Sequence, residues 1–181
     1  MLQLISKGFS VDRSMAGVRS IAKFDLHATY SFIVGLPTET EEEFESTIDL
    51  MYKIYKIHPR AGFTLGVYLP YPGSQLYSFS LEQGFNSPAK TEDWGKIDRF
   101  RKDFESPWVD VKKVWLIREC YKILSWDLKI LKEWFEFRIR HRFYLFPIDI
   151  YLIEFLSGMA IEERGIFGKL LRRVYNFVRF K

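Results

Sequence analysis

The chain has 181 residues, of which 48% are hydrophobic and 18% are aromatic, and it contains one cysteine, Cys120. This composition excludes a disordered or collagen-like chain. The lone cysteine excludes an internal disulfide framework, a cysteine-rich zinc site and a cluster held by three cysteines of this chain. The net charge of +4 is too small to argue for nucleic-acid binding.

In chain order, the first 84 residues alternate between helices and strands. The predicted elements are a helix over residues 11–24 with Ser10 as its cap, a strand over 28–34, a helix from 40 to Pro59, a strand over 62–69 and a helix over 75–83. Strands that alternate with helices imply right-handed βαβ units and a parallel sheet. The first strand ends in a continuous apolar run, which predicts that both of its faces are covered.

The clearest local signal is the start of the second helix. Thr40 can accept a hydrogen bond from the amide of Glu43, and the Glu43 carboxylate can reach back to the amide of Thr40, which forms a capping box. An acidic first turn also suits the positive end of the helix dipole. The carboxylates from Glu39 to Glu45 therefore indicate a helix start more than a metal site.

The second half of the chain is predicted to be irregular over residues 85–110 and then helical. One long helix is expected from about Val111 to Arg140, because apolar residues recur every three or four positions along it. Such a seam favours packing on a domain over a coiled-coil dimer. Cys120 lies beside the seam, where a lone cysteine is usually a small buried hydrophobe rather than a nucleophile.

Charge is unevenly distributed. Residues 1–111 carry 12 Lys+Arg and 15 Asp+Glu, whereas residues 112–181 carry 15 and 8. A basic C-terminal part can meet an acidic partner, a phosphate-rich ligand or an anionic membrane surface, although a solvated basic face is the commoner meaning. Residues 165–181 are predicted to form a basic amphipathic helix, which can lie in a membrane interface or pack on its own domain.

Neither a secretory signal nor a membrane-spanning helix is expected. Lys7 and Gly8 interrupt the apolar N-terminus, and the longest apolar stretch, residues 143–161, contains Asp149 and Glu154. The sequence therefore predicts a cytoplasmic protein, with peripheral membrane contact left open.

Two segments carry a family resemblance. Residues 30–43 read Tyr-Ser-Phe-Ile-Val-Gly-Leu-Pro-Thr-Glu-Thr-Glu-Glu-Glu, and residues 65–74 read Leu-Gly-Val-Tyr-Leu-Pro-Tyr-Pro-Gly-Ser. Together they resemble the fifth and sixth strand units of radical SAM enzymes, most closely the subgroup with an N-terminal cobalamin-binding domain. The resemblance implies an α/β fold, a partial radical-SAM-type barrel of two parallel strands with helices over residues 1–90. An α-helical C-terminal region over residues 91–181 would follow it.

The resemblance also implies a set of cofactor-binding residues. Radical SAM enzymes pack this part of the barrel against the adenine of S-adenosylmethionine. Ile33, Gly35 and Pro37 would lie on that wall, with Tyr68 and Pro70 nearby, and no catalytic or metal-binding residue is implied. Taken without the resemblance, the glycine and prolines among them are ordinary turn residues.

Two departures from the family pattern stand out. Thr38 occupies the position of a family glycine, which puts the usual loop geometry in doubt. The family's Cys-x-x-x-Cys-x-x-Cys motif is absent, so this chain by itself is predicted to be inactive. A 4Fe-4S cluster and cobalamin would require a radical SAM and cobalamin-binding N-terminal part encoded upstream.

Two functions remain open from the sequence. The first is a C-terminal fragment or split part of a radical SAM enzyme that contributes one wall of the S-adenosylmethionine pocket and part of a substrate site. The second is a non-enzymatic interaction module that docks on a partner protein or, through residues 165–181, on an anionic membrane surface. A complete, unrelated enzyme has little support, because the sequence has no phosphate-binding glycine loop and no nucleophile motif.

Overall fold

The structure is a computed structural model that describes residues 8, 10–24, 26–95, 97, 105–124, 129–144 and 147–152. The elements are α1 (Val11–Ile21), β1 (Thr29–Val34), α2 (Glu41–Ile57), β2 (Gly62–Val67), α3 (Tyr77–Glu82), α4 (Thr91–Trp94), α5 (Val111–Leu124) and α6 (Lys129–Arg140). Residues 148–152 are also helical. The chain divides into two compact units, residues 1–115 and 116–181. The predicted domain boundary at residue 90 stays a prediction.

The two strands form a parallel sheet. Thr29 lies opposite Gly62, and Val34 lies opposite Val67. The mixed α/β architecture with a parallel strand pair is therefore confirmed, with strand ends within two residues of those predicted. Within the described residues the sheet has these two strands, in the order β1-β2.

One face of the sheet is covered by helices. The buried core of this unit includes Val18, Ile54 and Ala61, against which pack Met15, Tyr30, Phe32, Leu50, Ile57 and Phe63. The opposite face of β1 is exposed: Ser31 faces solvent and Ile33 is 40% exposed. The prediction that both faces of this strand are covered is wrong, because α1 and α2 contribute side chains to one face and the apolar run hid the alternation.

Both predicted helix caps form. The Ser10 hydroxyl accepts a hydrogen bond from the Arg13 amide at 3.2 Å at the start of α1. At the start of α2, the Glu43 amide donates to the Thr40 hydroxyl at 3.2 Å, and the Thr40 amide donates to the Glu43 carboxylate at 3.1 Å. This is the predicted capping box, and it fixes where the chain turns from the sheet edge into α2.

The end of α2 is fixed by a buried histidine. His58 is 4% exposed, its Nε2 lies 2.9 Å from the Leu26 carbonyl oxygen, and its Nδ1 lies 3.1 Å from the Tyr30 hydroxyl. Because a carbonyl can only accept, Nε2 donates its proton to Leu26, and Nδ1 is left to the Tyr30 hydroxyl. Burial raises the pKa of Tyr30. These two bonds tie the end of α2 to the beginning of β1.

The second unit contains a buried ion pair. Arg138 is 1% exposed, and its Nη1 donates to both carboxylate oxygens of Asp149, at 2.7 and 2.6 Å. The Trp134 indole N–H donates to the same carboxylate at 2.6 Å. Cys120 is fully buried, as predicted, and burial raises the pKa of its thiol to about 12. The thiol is therefore protonated at neutral pH.

The single helix predicted from Val111 to Arg140 is seen as two described helices, α5 and α6, and residues 125–128 between them lie outside the described residues. The predicted amphipathic helix over 165–181 also lies outside them. None of the helices formed by the described residues is long and apolar enough to cross a membrane.

Candidate functional site

The carboxyl ends of β1 and β2 meet at one edge of the sheet. The Tyr68 amide donates to the Val34 carbonyl at 2.7 Å, so the parallel ladder continues one residue past β2. The turns at residues 35–37 and 68–70 therefore start side by side. Ligands of parallel α/β proteins bind at this edge, where successive loops converge. We take this edge as the candidate site.

The first turn depends on a glycine. Gly35 is buried and has φ +74°, a left-handed conformation that side chains rarely adopt. A Cβ built on Gly35 would lie 2.6 Å from Cγ1 of Val109. The space that Gly35 leaves by lacking a side chain is thus filled by Val109, a residue of the same unit. Local sequence pattern gave no sign of Val109, because the two residues are far apart along the chain.

A half-buried carboxylate closes the same turn. Glu39 accepts a hydrogen bond from the Gly35 amide, and its own amide donates to the Leu36 carbonyl at 3.0 Å. Burial raises the pKa of Glu39; hydrogen bonds from the amides of Gly35 and Leu36 oppose the rise, and the nearby Glu43 charge adds to it. Sequence reasoning treated Glu39 as part of a helix start and so missed its role in the turn.

Thr38 keeps the turn geometry at the cost of strain. Its φ is +68°, in the left-handed region where a β-branched residue is uncommon. The sequence put the geometry of this loop in doubt, and the structure shows that Thr38 itself adopts the left-handed conformation.

All five predicted cofactor-binding residues lie at or beside this edge, but in different environments. Ile33 is 40% exposed on the open face of the sheet. Gly35, Pro37 and Pro70 are buried and shape the two turns. Tyr68 is half-buried, and its hydroxyl is buried with no hydrogen-bond partner among the described residues. Ile33 and the ring of Tyr68 are therefore the two side-chain surfaces that a ligand can reach, and a cofactor role for the five stays a prediction.

An aromatic ladder extends from this edge. It consists of Tyr68, Trp108, Phe85, Trp94 and Tyr71, with successive ring centroids 6.0, 6.3, 6.4 and 5.8 Å apart. The Trp108 indole N–H donates to the Gln83 carbonyl at 3.0 Å, which holds that ring in place. The sequence suggested no such cluster, because three of the rings come from the segment predicted to be irregular.

The segment that carries Trp108 and Val109 is fastened at the start of α5. The Asp110 carboxylate accepts from the Lys112 amide at 2.9 Å, which caps the helix. The Lys113 ammonium donates to Glu41 at 2.6 Å and to Glu45 at 2.9 Å. Burial lowers the pKa of Lys113, but these hydrogen bonds and charges outweigh it and leave the pKa raised. The acidic start of α2 therefore also holds Lys113 in the first turn of α5.

The described residues at the sheet edge do not form a metal-binding site. Across the portion of the chain that the structure describes, no three His, Cys, Asp or Glu side chains converge as a group that could hold a metal ion. The edge instead offers backbone turns, aromatic rings, the half-buried carboxylate of Glu39 and the hydroxyls of threonine and tyrosine side chains.

Comparison with known proteins yields a partial relative. The chain is 38% identical over 96 residues to an uncharacterized methyltransferase from Pyrococcus horikoshii. The match covers 53% of this chain and 19% of that protein, so the chain spans about a fifth of the length of the curated relative it matches. No protein-family model matches the chain, and no solved structure matches it.

These comparisons correct the family assignment. The relative is named a methyltransferase, and neither a radical SAM nor a cobalamin-binding family model matches, so the assignment to that family is wrong. A 4Fe-4S cluster, cobalamin and a docking module likewise receive no support. The physical reason lies in the two segments that carried the resemblance: Gly35, Pro37, Pro70 and the Thr40 cap are turn and helix-start residues. Such residues recur wherever a strand leads into a helix.

Proposed function

We propose that this chain belongs to a methyltransferase-type protein and that the carboxyl edge of its β1–β2 sheet binds S-adenosylmethionine. The observation that carries the proposal is the 38% identity over 96 residues to a methyltransferase. S-adenosylmethionine supplies an electrophilic methyl group on a positively charged sulfur. The parallel strand ends supply the kind of edge at which α/β proteins bind nucleotide-like ligands.

The residues at the edge fit such a ligand. Ile33 offers an exposed apolar side chain to the face of an adenine ring, and Tyr68 offers an aromatic face that attracts a sulfonium cation. Gly35, Pro37 and Pro70 then act indirectly, because they hold the backbone of the two turns.

The test is a calorimetric titration of the 181-residue chain with S-adenosylhomocysteine, the demethylated product. Ile33→Glu places a carboxylate on the exposed sheet face, and we expect it to weaken binding at least tenfold. Ile148→Glu is the matched control, because Ile148 is 73% exposed and belongs to the other unit. It should bind like the wild type.

Two results contradict the proposal. One is a wild-type chain that is folded by circular dichroism but shows no heat of binding at millimolar S-adenosylhomocysteine. The other is an equal loss of affinity in Ile33→Glu and Ile148→Glu, which would place the ligand away from the sheet edge.

A further inference from the structure

We infer that the aromatic ladder is a binding site for a flat, unsaturated ring that carries a polar edge group and is neutral or cationic. Its assignment as the site of the methyl acceptor rests on the proposed function, since an acceptor must bind beside the donor. Tyr68 lies at the strand ends and is also the first rung of the ladder. The ring site itself stands on contacts that do not depend on the proposed function.

The rings of the ladder differ in exposure. Phe85, the middle rung, is 6% exposed; its neighbours Trp108 and Trp94 are half-buried; and the end rungs are the half-buried Tyr68 and Tyr71, which is 46% exposed. Two neighbouring pairs are stacked with planes inclined by 29°, and the other two are tilted by 42° and 49°, so no pair forms a closed sandwich. Aromatic pairs prefer offset or inclined arrangements of this kind. Tyr71, at 46% exposure, presents an accessible ring against which a further flat group can pack.

The hydroxyl of Tyr68, at one end of the ladder, also points to a ligand. Buried hydroxyls in native proteins almost always have a hydrogen-bond partner. The Tyr77 hydroxyl bonds to the Ser87 hydroxyl at 2.8 Å, and the Tyr30 hydroxyl lies 3.1 Å from the His58 ring. The Tyr68 hydroxyl is buried without such a partner in the described part of the chain. It can donate to or accept from a polar group on the edge of a bound ring.

Local charge selects among flat rings. Residues 68–108, which carry all five rungs, contain five Lys+Arg and six Asp+Glu, so the selection depends on the acids nearest to a rung. Glu92 and Asp93 directly precede Trp94 in α4. An anionic ring is disfavoured beside these carboxylates, whereas a neutral ring is tolerated and a cationic ring is attracted both to them and to the aromatic faces.

Four small probes separate these requirements. Nicotinamide is flat, neutral and carries an amide; 1-methylnicotinamide adds a positive charge; nicotinate is an anion; and cyclohexanecarboxamide keeps the amide but has no flat ring. Each is titrated into the 181-residue chain by saturation-transfer NMR. We expect nicotinamide and 1-methylnicotinamide to bind, nicotinate to bind at least fivefold more weakly, and cyclohexanecarboxamide to give no signal.

Variants locate the binding. Tyr68→Phe removes the hydroxyl and keeps the ring, and it should raise the dissociation constant for nicotinamide roughly fivefold to tenfold. Tyr71→Leu removes the most exposed rung and should weaken binding with little effect on folding. Tyr151→Phe, in the other unit, is the control for loss of a hydroxyl and should bind like the wild type.

The outcomes separate this proposal from the proposed function. Equal binding of cyclohexanecarboxamide and nicotinamide, or an unchanged dissociation constant in both Tyr68→Phe and Tyr71→Leu, overturns the ring site. If nicotinamide binds as expected but S-adenosylhomocysteine does not bind, the ring site stands and the methyltransferase assignment falls. If S-adenosylhomocysteine binds and the ring probes do not, the proposed function stands and the ring site is wrong.

Discussion

Val109 lies against Gly35 so closely that the backbone there has room for hydrogen and nothing larger. The Cγ1 atom of Val109 would be 2.6 Å from a Cβ on Gly35. This contact joins the turn after β1 to the segment that leads into α5. Trp108, the neighbour of Val109, contacts the Tyr68 ring at 6.0 Å between centroids. Gly35 thus allows the segment that contains Trp108 and Val109 to pack against the sheet edge, where Trp108 forms part of the candidate site.

The first prediction concerns this contact. Gly35→Ala should destabilise the protein by about 2–4 kcal/mol, because a left-handed alanine costs about 1–2 kcal/mol and the clash with Val109 adds an overpacking cost of similar size. Gly73 has φ +84° with nothing within 4 Å of a built Cβ, so Gly73→Ala measures the backbone cost alone. Urea unfolding compares the two variants. Equal losses would show that the Val109 contact carries no strain.

The second prediction concerns Thr38. Thr38→Gly should stabilise the protein by about 0.5–1 kcal/mol, since glycine relieves left-handed strain of about 1–2 kcal/mol but gains more freedom in the unfolded chain. Thr40→Gly makes the same substitution at the capping residue and should destabilise by a few tenths of a kcal/mol. Opposite signs in urea midpoints are the expected result. Destabilisation by both would mean that Thr38 makes a compensating contact.

The third prediction concerns the pH dependence that Glu39 imposes. Burial raises its pKa above the ordinary value of 4.5, so the folded state holds the proton more tightly than the unfolded state. Its contribution to stability is therefore fully present below pH 4.5 and is lost as the pH rises through the folded-state pKa. Glu39→Gln keeps an acceptor for the Gly35 amide but does not titrate.

The measurement is the urea midpoint of wild type and Glu39→Gln between pH 4 and pH 8. The variant should gain stability relative to the wild type as the pH rises, by a modest amount because the side chain is half exposed. A gain by the wild type instead would show that the hydrogen bonds from Gly35 and Leu36 outweigh burial.

The fourth prediction concerns the Arg138–Asp149 pair. Asp149→Ala leaves the buried guanidinium without two hydrogen bonds and should cost about 2–3 kcal/mol, below the range for a fully buried pair because Asp149 is 28% exposed. Glu133→Ala is the control on α6, because its 3.8 Å pair with Lys129 is 66% and 91% exposed. Glu133→Ala should lower the free energy of unfolding by no more than about 0.5 kcal/mol. Similar costs in guanidinium unfolding would contradict the assignment of Arg138–Asp149 as the stronger pair.

The radical SAM assignment was wrong because the residues on which it was based specify local backbone structure and not a reaction. The turn residues Gly35, Pro37 and Pro70 and the cap at Thr40 were all placed correctly, since each follows from a local requirement of backbone or helix terminus. None of them specifies a chemistry, because the same residues serve any strand that leads into a helix. The 38% identity to a protein named a methyltransferase overturned the family assignment and left these local predictions intact.

The sequence by itself determined the features that depend on neighbours along the chain. These are the two helix caps, the strand–helix–strand order and the parallel pairing that brings Gly35 and Tyr68 to one edge. Capping, periodicity and turn preference act over a few residues, so they can be read without a fold. In β1 a run of apolar residues concealed the alternation between buried and exposed side chains. Only the structure shows that helices cover one face of this strand.

Tertiary structure alone decided the contents of the candidate site. The Val109 contact at Gly35, the double ion pair of Lys113 and the five-ring ladder each join residues from distant parts of the chain. Such contacts depend on how the segment before α5 folds back over the sheet edge. Residue type and spacing along the chain do not predict the course of that segment. The unused hydroxyl of Tyr68 belongs to the same class, because whether a buried group has a partner is a property of its surroundings in space.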